Sequence, residues 1–267
     1  MKNDNLGIRL GLFYLTVAVV LIAIARFDNY RSVNAQEAPT INLFGETSAD
    51  DELYRKSQSS TVRIIKADSA GSGVIIAKEG NFYSVLTSWH VVRSNNSTIL
   101  TADDREHQLI NAPEQLGDAD LGILKFYSEL EYPTAVIETQ MPQVGDIVYA
   151  AGFPLSIDGE KTSDELDNEA FTLTEGKVSI IPHKSLPQGY RLGYTNDTAM
   201  GMSGSPIFDE DGLLVGIHGR GKYRDPGFGV YIFEDGSEPS PAQLEEMIES
   251  SWGIPISLYS NLGSEKF

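Results

Sequence analysis

The sequence predicts an all-β protein, and three observations carry that expectation. Its apolar runs are short, rich in Val, Ile, Tyr and Phe, and punctuated by Gly, Asn, Asp and Pro, which is the pattern of antiparallel strands joined by turns. Clear helical periodicity is confined to two places. With 41% hydrophobic and 22% charged residues over 267 positions, the chain can bury a substantial core.

In chain order, the first segment reads as targeting rather than fold. Lys2 and Arg9 flank a polar start, residues 10–25 are almost wholly apolar, and a polar stretch then ends in Val33-Asn34-Ala35, small residues at the offsets that a signal peptidase requires. The apolar run is long for a signal-peptide core and short for a span of about 20 residues. Residues 1–35 are therefore read as a removed signal peptide or as a retained anchor holding residues 10–25 in a membrane. Both readings put the rest of the chain outside the cytoplasm. Residues 36–50 form a linker. A short helix over 49–57 leads into strands at 61–66, 73–77, 82–87 and 121–127. Further strands follow at 146–151, 177–181, 206–208 and 213–218. Between two of them, 156–169 is acidic and nearly devoid of large apolar residues, a solvated loop. Ser240-Pro241 opens the better helix, with Pro at the first helical position and Leu244, Met247 and Ile248 on one face. No internal repeat is visible.

Composition excludes several functions. There is no Cys, hence no disulfide scaffold, no Cys nucleophile and no thiolate zinc site. Twenty basic residues face 38 acidic ones, net −18, and such a chain repels a phosphate backbone, so no nucleic-acid partner is expected. The acidic loops lack the spacing of a calcium-binding EF-hand, and no metal is expected.

Three local patterns carry chemistry. Thr87-Ser88-Trp89-His90 puts a His directly after an apolar strand. Asp118-Ala119-Asp120-Leu121-Gly122 puts an Asp at the head of another, where burial of a carboxylate is costly without partners. Gly201-Met202-Ser203-Gly204-Ser205-Pro206 flanks one Ser with glycines, which reach backbone conformations closed to other residues. Each alone is equally a turn or strand end. Together they meet a chemical need. A Ser hydroxyl requires an adjacent base, an imidazole is suited to that role, and a carboxylate steadies the imidazole. The order His, Asp, Ser, at separations of 30 and 83 residues, is that of the double β-barrel serine proteases.

On these motifs the chain resembles the trypsin-like serine peptidases of the bacterial, disulfide-free kind, relatives of the chymotrypsin, HtrA and glutamyl-endopeptidase groups, over about residues 53–262. Ser88-Trp89-His90 matches the family's His motif. Asp120-Leu121-Gly122-Ile123-Leu124 matches its Asp motif, with Gly122 where Ala is usual. Gly201 to Pro206 matches its nucleophile motif. Gly71-Ser72-Gly73 and Gly152-Phe153-Pro154 resemble further family segments. The resemblance implies a double six-stranded antiparallel β-barrel with a C-terminal helical insertion, the first barrel over 51–140 and the second over 141–267. It implies an active site in the cleft between them. It also implies Ser203 as nucleophile, His90 as general base, Asp120 as its orienter with Asp118 as rival, and the N–H groups of Gly201 and Ser203 as oxyanion hole. No cofactor is needed, and the partners are protein or peptide substrates.

Departures from the family pattern carry further expectations. Met202 stands where animal trypsins carry the Asp that pairs with a newly cut N-terminus, so activation of that type is not expected. Sixty-four residues follow Ser203, enough to finish the second barrel but not for a further peptide-binding domain. For specificity, Asp197 occupies the offset at which trypsin-type enzymes receive Lys or Arg, and a carboxylate at the base of a closed pocket selects cations strongly. His218, in Gly216-Ile217-His218-Gly219, resembles the residue of glutamyl endopeptidases that receives Glu. The Lys/Arg reading is preferred and the Glu reading stays open. The last pocket strand lies at Gly229-Val230-Tyr231 or, as preferred, at residues 252–256. The second register makes 222–251 an insertion able to gate the pocket. A catalytically silent binding module and an esterase with the same triad are the rival functions.

Overall fold

The computed structural model describes residues 48–66, 69–94, 97–155, 171–222 and 229–263. Residues 1–35, read above as a signal peptide or anchor, and residues 156–169, read as a solvated acidic loop, lie outside the described residues. Among the described residues no helix is long and apolar enough to cross a membrane.

Helix α1 (Ala49–Ser60) begins where Ser48 caps it, its Oγ accepting from Asp51 N at 3.1 Å, and Asp50, Asp51 and Glu52 complement the positive end of the helix. It runs past residue 57 because Thr61 Oγ1 donates back to Ser57 O at 2.6 Å and steadies the last turn. A seven-stranded sheet follows, built from β1 (Thr61–Ile65), β2 (Ala70–Glu79), β3 (Phe82–Thr87), β4 (Thr98–Leu100), β5 (Glu106–Gln108), β6 (Glu114–Gln115) and β7 (Gly122–Tyr127). All its ladders are antiparallel, in the order β5-β4-β1-β2-β3-β7-β6. Val62, Ile64, Ile75, Tyr83, Val85, Ile99, Leu124 and Phe126 fill its concave side. The resemblance implies six strands in this barrel. The sheet instead has seven, and an isolated bridge, Leu109 to Phe126, draws the chain after β5 onto β7.

The second sheet is a closed barrel of β8 (Ile147–Gly152), β9 (Thr172–Ile180), β10 (Leu192–Tyr194), β11 (Pro206–Phe208), β12 (Leu214–Arg220) and β13 (Ser251–Pro255), in the order β10-β13-β12-β11-β8-β9. Strand β13 pairs with both β10 and β12, which is the second register considered above, and Gly229 to Tyr231 form no strand. Before β13 comes α3 (Pro241–Ile248), with Ser240 and Gln243 forming a reciprocal capping box, and after it α4 (Ile256–Gly263).

One apolar cluster spans both sheets. Val74, Leu86 and Leu121 of the first side meet Ala151, Ile180, Phe208, Ile217 and Trp252 of the second. This shared core docks the sheets, and register does the rest. Thr87 pairs with Gly122, so the end of β3 and the start of β7 lie side by side. Residues 88–90 and 118–121 are thereby brought together at the seam.

Candidate active site

Directly after β3 the chain turns into the one-turn helix α2 (Trp89–Val92), which carries His90. Asp120 sits just before β7. Its main-chain O accepts from Trp89 N at 3.1 Å, its Oδ1 from His90 N at 2.8 Å, and its Oδ2 lies 2.6 Å from His90 Nδ1. Tyr190 Oη donates a third side-chain hydrogen bond, also to Oδ2. Asp120 is buried, while the His90 side chain is 39% exposed. Burial raises the carboxyl pKa of Asp120, but the bonds and charge from His90, with Tyr190 adding to them, outweigh it and hold the group below the ordinary carboxylate value. Asp118 is exposed, and among the described residues the carboxylate bonded to His90 is that of Asp120. Gly122 sits where an added side chain would fit tightly. A Cβ there would stand 3.0 Å from Val92 Cγ2 and 3.3 Å from the Trp89 ring.

Ser203 sits in a tight loop between β10 and β11. Gly201 and Gly204, at φ of 90° and 87°, adopt left-handed conformations that other residues resist. Side chains are excluded there as well: a Cβ on Gly204 would lie 2.1 Å from both Ser72 O and Thr87 Oγ1, and 3.0 Å from Ser88 N. The loop is fastened across the seam. Ser72 N donates to Ser203 O at 2.8 Å, Ser72 Oγ donates to Gly201 O at 2.9 Å, and Phe153 N donates to Ser72 Oγ at 3.0 Å. Gly204 N and Ser88 Oγ both donate to His218 O, at 2.8 and 3.0 Å. Ser88 is thus shared between the His90 side and the Ser203 side. Among the described residues Ser203 Oγ and His90 Nε2 make no hydrogen bond to each other, and the N–H groups of Gly201 and Ser203 have no protein acceptor. Met202 packs into the barrel core with Val148, Val178, Tyr194 and Ile207.

Of the two residues read above as candidates for specificity, Asp197 does not sit at the base of a closed pocket. The Asp197 side chain is 95% exposed and its Oδ1 accepts from Lys222 Nζ at 2.6 Å. It therefore presents a neutralised surface carboxylate rather than a buried one. His218 is buried, with Nδ1 2.5 Å from Tyr194 Oη. Burial, and secondarily the charge of His90, push its pKa down to about 3, so it is neutral at ordinary pH. Asp197 and His218 thus have separate partners. Sequence reading missed Tyr190, Ser72 Oγ and Lys222 as contributors to this site. A Tyr in a loop 70 residues from Asp120 carries no local signal. Among the described residues no cluster of three potential metal ligands is present.

Comparison with known proteins points one way. Residues 71–217 match the family model described as the trypsin-like peptidase domain. A probable periplasmic serine endoprotease, DegP-like, of Pseudomonas fulva is 32% identical over 169 residues, covering 61% of this chain and 31% of that protein. The serine protease Do-like HtrA of Lactococcus lactis is 25% identical over 194 residues, covering 71% of this chain and 44% of its own. Relatives of the first kind are therefore spanned over about a third of their length. Among solved structures, Rv3671c of M. tuberculosis, crystallised as an inactive serine-to-alanine mutant, aligns with a TM-score of 0.57 at 18% identity. That alignment covers 83% of this chain and 93% of the other. The serine endoprotease of Yersinia pestis aligns at 0.55 and 20% identity, covering 83% and 67%. At these identities the structural likeness concerns the fold.

Proposed function

The chain belongs to the trypsin-like peptidase domain family, and from that premise we propose that it is an extracytoplasmic serine endopeptidase working through Ser203, His90 and Asp120. The observation that carries the reading is the buried Asp120 carboxylate, which grips both the main-chain N and Nδ1 of His90 and leaves the far side of the imidazole open. Nδ1–H bonded to Asp120 leaves Nε2 as the basic nitrogen. Nε2 takes the proton as Ser203 Oγ attacks the scissile carbonyl. The N–H groups of Gly201 and Ser203, which have no acceptor among the described residues, receive the developing oxyanion. The imidazolium then protonates the leaving amine, an acyl-enzyme remains, and water attacks it by the same route in reverse. Asp120 stays ionised throughout. An extracytoplasmic location is supported by the apolar segment 10–25 and by the periplasmic designation of the relatives.

For the residue before the cut, a substrate Lys or Arg competes with Lys222 for Asp197. The ion pair favours a mild preference over a trypsin-like one. The deciding experiment is digestion of a diverse peptide mixture by the purified full chain, read by mass spectrometry, beside Ser203→Ala. The parent is expected to cut and the variant to fall by about four to six orders of magnitude. Equal cutting by both would overturn the assignment of Ser203, and no cutting by either would favour the binding-module reading.

A further inference from the structure

We propose that Tyr190 is a positioning residue of this active site. Its phenolic O–H locks the Asp120 carboxylate from the second barrel, so that His90 is held for catalysis only when the two barrels are docked. This rests on the reading of Asp120 and His90 given above. Four observations carry it. Tyr190 is completely buried and bonds the same carboxylate oxygen that faces His90 Nδ1. With His90 N on Oδ1, both oxygens of a nearly water-free carboxylate are then engaged, which is what a buried charge requires. Gly219 leaves the room for it, since a Cβ at that position would lie 2.1 Å from Tyr190 Oη and 2.8 Å from Cζ. The ring is itself held. Arg220 lies over it, with its guanidinium carbon 4.0 Å from the centroid, and reaches Gln188 Oε1 at 3.1 Å. The same loop grips the Asp120 main chain, since Gln188, at a left-handed φ of 71°, accepts from Asp120 N at 3.0 Å.

The loop before β10 therefore holds Asp120 twice, once by backbone and once by phenol. The group stays a donor because burial, reinforced by the Asp120 charge, pushes the phenol pKa far up. Among the described residues, the charged and titratable groups around the contact are His90 from α2, Tyr190 from the loop, Arg220 from β12 and Tyr194 from β10, which feels Tyr190, with His218 near enough to feel His90.

The test uses the full chain and needs no natural substrate. A fluorophosphonate probe reports the reactivity of Ser203: the Ser203 O–P bond forms, the P–F bond breaks, fluoride leaves and the serine proton passes to His90. Labelling rates are measured against pH for the parent, Tyr190→Phe and Gly219→Ala, each beside its melting curve. Tyr190→Phe is expected to label about tenfold to hundredfold more slowly, the weight of a hydrogen bond to a charged group. Its acid limb is expected to move to higher pH. Without the O–H, more of the carboxylate charge falls on the imidazolium, and the coupled pair keeps its proton to higher pH. Gly219→Ala is expected to give the same shift with the phenol still present, by pushing Oη aside, and it decides the matter if Tyr190→Phe does not fold. An unmoved acid limb in the folded variant, whether the rate is unchanged or falls only with the folded fraction, overturns the proposal and leaves Tyr190 a packing residue. A parent chain that takes no label overturns the serine-nucleophile reading and this proposal with it.

Discussion

Lys222 holds Asp197 in an ion pair on the surface, and that pair bears on the specificity proposed for Asp197. Exposed pairs contribute about 0–1 kcal/mol, so the contact biases the carboxylate without removing it from competition. A substrate Lys or Arg must displace Lys222 before it meets Asp197. Lys222→Ala should therefore raise kcat/KM for peptides with Lys or Arg before the cut by about twofold to fivefold over matched Ala peptides. Matched fluorogenic peptides read this, and an unchanged ratio would remove Asp197 from substrate recognition. The offset of Asp197 from Ser203 was legible in the chain, but its counter-ion was not. Lys222 lies 25 residues away, and only the return of β12 beside the Ser203 loop brings it close.

Among the elements, the described part of the segment 222–251 packs into the core. Expected as a gate at the pocket mouth, it sends Tyr231, Phe233 and Met247 into the core that both sheets share. Trp252 Nε1 also donates to Met247 O at 3.2 Å, tying α3 to β13. Met247 is fully buried, so Met247→Ala should lower unfolding stability by about 2–5 kcal/mol, measured by urea titration. A loss under 1 kcal/mol would mean that α3 is a peripheral flap after all. Helix α3 was readable because Ser240, Pro241 and the apolar stripe are local signals. Strands β4, β5, β6 and β10 were not, because two or three residues, several of them polar, show no alternation. Their pairing depends on neighbours such as Ile64 for β4 and Trp252 for β10.

Across the whole molecule, His218 couples global stability to pH. It is buried on β12 against Tyr194, and burial takes its pKa from 6.5 to about 3. Between those values the unfolded chain binds a proton here that the folded chain does not. Stability is therefore fully present above pH 6.5 and falls as pH drops through that window, by up to about 1.4 kcal/mol per unit. Between pH 7 and pH 5 the parent should lose about 2 kcal/mol more than His218→Gln, compared by urea unfolding at the two pH values. Equal losses would show that the imidazole protonates in place. The same burial makes His218 a neutral hydrogen-bonding group, so any recognition of Glu by it would lack an ion pair.

The all-β class, the two helices and the residues proposed for the chemistry could be read from the chain alone. Each expresses a local requirement: apolar runs bounded by turn residues, a capping Ser before Pro, and a Ser between glycines that alone tolerate φ near 90°. The seven-stranded first sheet, the exposure of Asp197, the burial of His218 and the Tyr190–Asp120 bond belong to the folded molecule. They join groups tens of residues apart, and their strength comes from water excluded by a core that exists only once both sheets have packed.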